Sequence, residues 1–156
     1  MRRACAVPIA AFVACALVLA GLGTVAAASP AKKPPTKKNY IKKGDAICQK
    51  LNRDTDAIAT QHGLDTTQNP TSDQINAFVK DVVPAIRAAL DELRALKPPK
   101  GDAKKLRKIF AAVEKAVDRV ERDPQSLLNQ NENAFAEADR LTRRYGFKVC
   151  GQGSSG

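Results

Sequence analysis

Apolar residues recur at three- and four-residue steps in four stretches of the chain, the period of a helix with one buried face. The first stretch runs from about Tyr40 to Gln61 and aligns Tyr40, Ile47, Cys48, Leu51 and Ile58. Gly44 falls early in it and is an alternative start, with Asp45 as its cap. The second opens with Thr71 and Gln74, the T-x-x-Q spacing of a capping box, places Val79, Val83, Ile86 and Leu90 on one side, and stops at Pro98 and Pro99. Pro84 lies within it, nearly opposite the apolar stripe. The carbonyl it leaves without a donor can face water, which predicts a kinked helix rather than two. The third follows Gly101, with Asp102 as cap, and carries Leu106, Ile109, Val113, Val117 and Val120 on one face. The fourth is predicted from Asp123-Pro124 to Tyr145 through Leu127, Phe135 and Leu141, with Gly146 as its stop. Asn131 interrupts that stripe, so a start nearer to it is the alternative.

Four amphipathic helices joined by short turns predict an all-α fold, an antiparallel up-down-up-down four-helix bundle. Composition agrees: aromatics are 4% and Trp is absent, which disfavours strands.

Before the helices, Arg2 and Arg3 precede an apolar run from Ala4 to Ala28 that closes on small residues. This is the pattern of a secretory signal peptide, with cleavage expected between Ala28 and Ser29. A run of this length also meets the requirement for an uncleaved membrane anchor, although the lysines after it outnumber the arginines before it. Cys15 follows a poor small-residue box for lipidation. The expected organisation is a signal over 1–28, a Lys/Pro-rich linker over 29–43, the helical domain over 44–150 and a flexible tail over 151–156.

Export changes the meaning of the cysteines. Cys5 and Cys15 leave with the signal, and an oxidising compartment then pairs Cys48 with Cys150, joining the first helix to the C-terminal segment. Such a bond closes a loop of about 100 residues, and loop-entropy reasoning assigns it on the order of 4 to 5 kcal/mol. In an up-down order the start of the first helix and the end of the fourth lie at one end, within reach of the four residues from Phe147 to Cys150.

Charge separates the linker from the domain. The chain holds 26 Lys and Arg against 16 Asp and Glu, a net of +10. Setting aside Arg2, Arg3 and the linker lysines Lys32, Lys33, Lys37, Lys38, Lys42 and Lys43 leaves 18 bases against 16 acids from residue 44 onward, a net of +2. A basic leader on a nearly neutral domain argues against nucleic acid as a partner. It suits a weak, salt-sensitive tether to anionic lipid or a wall polymer, at about 1 kcal/mol per lysine near an anionic membrane.

The segments "YIKKGDAICQKLN", "VVPAIRAALDELRALKPP" and "YGFKVCG" together resemble small exported helical proteins of actinobacteria, a functionally uncharacterised family. The matched points are Cys48, Asn52, Pro84, Pro98, Pro99, Gly146, Cys150 and Gly151. The resemblance implies a secreted or envelope-associated helical domain with one disulfide.

Chemistry is sparse. His62 is the sole histidine and stands at a helix end; no spacing supplies it with an acid–base partner. No CxxC, phosphate loop, nucleophile elbow or Glu-x-x-His pair occurs, so neither metal, cofactor nor catalytic residue is expected. Tyr40, Asn52, Asn131 and Tyr145 are the polar groups in or beside apolar stripes and the candidate handles for a ligand. The expectation is a non-enzymatic exported domain with a binding or structural role at the cell envelope, its partner an envelope component or protein. The alternative is a carrier or sensor of a small apolar ligand in the bundle core.

Overall fold

The computed structural model describes residues 35–129 and 133–152. The signal-like run, Lys32, Lys33 and Asn131 lie outside the described residues. Within them the chain is all-helical: α1 (Lys37–Gln61), α2 (Ser72–Ala95), α3 (Ala103–Arg122), a 3-10 turn over Pro124–Leu128 and α4 (Ala136–Tyr145). No strand occurs among the described residues.

α1 begins earlier than its apolar stripe predicts. Thr36 caps it, its hydroxyl accepting from the Asn39 N–H at 3.2 Å, so Lys37, Lys38, Lys42 and Lys43 are helical rather than linker. Gly44 is therefore interior, and it is buried against Phe147: a Cβ built on it would collide with that ring. Asp45 does not cap α1.

α2 starts with the capping box the sequence predicts. The Thr71 hydroxyl accepts from the Gln74 N–H at 3.2 Å, and the Gln74 side chain accepts from the Thr71 N–H at 2.9 Å. The helix continues through Pro84, which is exposed while Val79, Val82, Val83 and Leu90 are buried.

α3 follows Asp102, but the Asp102 side chain makes no cap hydrogen bond. Its carboxylate is engaged elsewhere, as described below.

The long fourth helix is corrected. A 3-10 turn replaces its first part, leaving Leu127 and Leu128 exposed. α4 itself has only 10 residues. The segment between is rich in Asn, whose side chains compete with helix for backbone donors. Asn133 does so visibly, its side-chain oxygen accepting from the Phe135 N–H at 2.8 Å. Gly146 ends α4 in the left-handed region at φ 113°, a conformation that suits glycine.

Consecutive helices pack on one another, α1 on α2, α2 on α3 and α3 on α4. Two apolar clusters form. One gathers Tyr40, Cys48, Leu106, Ile109, Tyr145 and Phe147. The other gathers Ile75, Val79, Val83, Val117 and Val120 between α2 and α3, with Phe135 against it.

Candidate functional site

A C-terminal clasp, the segment from Gly146 to Gly151, is tied to α1 by a disulfide and a set of hydrogen bonds. Cys48 and Cys150 form a disulfide with their Cα atoms 5.3 Å apart. One turn before Cys48, the Asp45 carboxylate accepts from three successive backbone N–H groups, those of Lys148, Val149 and Cys150, at 2.9 to 3.3 Å from Oδ1. Successive N–H groups after a left-handed glycine make an anion-binding concavity. Here the chain's own carboxylate fills it, so the non-helical segment has its donors satisfied.

Beside the clasp, an aromatic cluster joins four helix ends. The Tyr40 and Tyr145 rings meet edge to face with centroids 6.2 Å apart, and Phe147 packs on Tyr145 at 5.3 Å. Tyr40 near the start of α1 donates its hydroxyl to the Leu93 carbonyl near the end of α2, at 3.4 Å. Tyr145 at the end of α4 donates to the buried Asp102 carboxylate before α3, at 3.0 Å. The Lys37 ammonium lies 4.5 Å from the Tyr145 ring centroid, a cation–π arrangement.

These contacts set the local proton affinities. Lys105, bonded to Asp102 at 2.8 Å, and then the Tyr145 hydroxyl hold the Asp102 carboxyl below its ordinary value, outweighing its burial. Burial, reinforced by Asp102, pushes the Tyr145 hydroxyl up, and burial alone raises Tyr40. Asp139 on α4 goes the other way from Asp102. Burial raises its carboxyl despite Arg143 and a hydrogen bond from Asn133.

Of the candidate ligand handles, Tyr40 and Tyr145 come together, but each spends its hydroxyl on an internal acceptor. Asn52 is exposed on α1, roughly 18 Å along the helix from Tyr40. His62 has a partner that spacing did not reveal. Its Nε2 lies 2.9 Å from the Asp81 carboxylate on α2, while Gln74 donates to the His62 carbonyl at 3.0 Å. The pair ties the end of α1 to α2, and His62 has no third side-chain partner among the described residues to complete an acid–base relay. No cluster of His, Cys, Asp or Glu suited to a metal ion occurs among the described residues.

A hollow of about 50 Å³ between α1 and α2 is lined by Ile47, Leu51, Ala85 and Ala89. Another of about 120 Å³ between α2 and α3 is lined by Arg87, Leu90, Arg94 and Glu114. Clefts for drug-sized ligands are roughly 300 to 1,000 Å³, and neither hollow reaches that size. No described helix is long and apolar enough to cross a membrane.

Compared with known proteins, the chain matches no protein-family model, no curated protein and no solved structure at a significant level.

Proposed function

We propose that this is an exported, non-enzymatic helical domain that acts by binding at the cell envelope, with its lysine-rich leader as an electrostatic tether. The observation that carries the reading is the Cys48–Cys150 disulfide, since such bonds persist in oxidising, extracytoplasmic compartments. Ala4–Ala28 supplies the matching export signal in the sequence. The likeness to small exported helical proteins of actinobacteria points the same way. The tether gains support from Lys38, Lys42 and Lys43, which are exposed on the first turns of α1 and ion-paired to no described residue. Fold-wise we read an up-down-up-down antiparallel bundle with a shortened last helix. Supporting it, the start of α1 touches the ends of α2 and α4 through Tyr40. Gln125 after α3 bonds to Ser72 at the start of α2.

The tether is tested by replacing Lys32, Lys33, Lys37, Lys38, Lys42 and Lys43 with Gln in the full chain. Salt-sensitive retention on envelope preparations is then measured. The expected outcome is loss of retention at low salt; unchanged retention contradicts the tether.

A further inference from the structure

Residues 35–152 hold 22 bases against 16 acids, a net of +6, and these charges are sorted by end. The first turns of α1 carry Lys37, Lys38, Lys42 and Lys43. Leu93, Asp102 and Tyr145 bring three more basic segments beside them. The α2–α3 connection and the first turn of α3 add Lys97, Lys100, Lys104 and Lys105. The end of α4 and the clasp add Arg143, Arg144 and Lys148. Residues 35–45, 96–105 and 143–152 thus hold eleven bases and two acids. Both acids are occupied internally, Asp45 by backbone N–H groups and Asp102 by Tyr145 and Lys105.

The opposite end reverses this. Residues 54–76 and 118–129, joined through Ser72 and Gln125, hold seven carboxylates and two arginines. α1 and α2 span roughly 35 Å, several times the screening length of about 8 Å at physiological salt. A surface approaching the basic end therefore meets nine net positive charges, more than the net of +6 over residues 35–152 as a whole.

Fold stability accounts for only part of this arrangement: Lys37 lies over the Tyr145 ring, Lys105 pairs with Asp102, and Arg143 in the last turn of α4 donates to the Gly151 carbonyl. Neither α1 nor α3 has an acid in its first turn, and Lys37, Lys38, Lys104 and Lys105 sit at the positive ends of those helix dipoles, where cations are disfavoured. Among the eleven bases, Lys105 alone is ion-paired to a described residue.

We propose that this end of the bundle is a docking face for an anionic phospholipid surface, extending the tether beyond the leader. The inference rests on the envelope reading above. The distribution of charge favours lipid. The basic groups are spread over four segments with neither hollow among them, which suits a smeared plane of phosphates better than a discrete ligand.

The test uses protein recovered from expression of the full chain. It is partitioned onto phosphatidylglycerol-containing vesicles and onto phosphatidylcholine vesicles. The ratio of the two coefficients isolates the part of the binding that depends on anionic headgroups. K97Q/K100Q/K104Q/K148Q removes four charges from the docking face outside the leader. R53Q/K80Q/R119Q/R122Q removes four from elsewhere, and circular dichroism checks that both fold. At about fivefold per lysine, the first variant should lower the ratio by on the order of a few hundredfold, and the second far less. Equal behaviour of the two variants overturns the docking face. If only the leader replacement lowers the ratio, the tether stands and this extension fails. Displacement from vesicles by wall polymer or duplex DNA at a lower phosphate concentration overturns the lipid assignment.

Discussion

Asp45 shows how one side chain replaces a stretch of secondary structure. Its carboxylate receives three N–H groups of a segment with no helix of its own. Asp45→Ala should cost about 1.5 to 3 kcal/mol, the range for charge-assisted hydrogen bonds. Asp45→Asn keeps one acceptor oxygen and should cost about half as much, in urea unfolding. Asp102 and Asp139 provide a pH test of opposite signs. Asp102 has a lowered folded value, so its contribution is full above the ordinary 3.8 and is lost as the pH falls below it. Asp139 has a raised folded value. Its contribution is full below 3.8 and is lost as the pH rises through the folded value. Relative to the parent chain, Asp102→Asn should therefore be most destabilising at neutral pH, whereas Asp139→Asn should gain stability as the pH rises. Parallel slopes would contradict the assignment. None of these roles was legible beforehand, because they depend on which helix ends meet. Spacing identified Tyr40 and Tyr145 as polar groups in apolar stripes but not their acceptors. It left His62 without the Asp81 partner that lies 19 residues away.

At the scale of elements, periodicity located α1, α2 and α3, and the Thr71–Gln74 box and Gly146 stop were readable from local chemistry. The same periodicity overran the fourth helix, because Leu127 fits a stripe that the asparagine-rich segment does not sustain. Gly44 was read as a possible start because glycine weakens helices; it is interior because Phe147 occupies the space of a side chain. Gly44→Ala therefore opposes two effects. Propensity favours Ala by about 1 kcal/mol, while overpacking against a closed ring costs about 1 to 3 kcal/mol. The clash should win, and a net loss of stability in thermal or urea unfolding checks it. A gain would mean that Phe147 does not pack there.

For the whole molecule, the clasp and the charge sorting arise from the same meeting of helix ends. Closing the chain over 102 residues should stabilise it by about 4 to 5 kcal/mol, so reduction or Cys150→Ser should lower the urea midpoint sharply. The net charge of +2 from residue 44 onward was legible in the sequence, but its segregation was not, since the segments that carry Lys38, Lys100 and Lys148 come to one end only through the fold. Export and closure of the disulfide are both read from the intact mass of the protein isolated from the extracytoplasmic fraction. The expected mass is that of a chain beginning at Ser29 and lighter by two hydrogens than its reduced form. A full-length, fully reduced chain confined to the cytoplasm would contradict both.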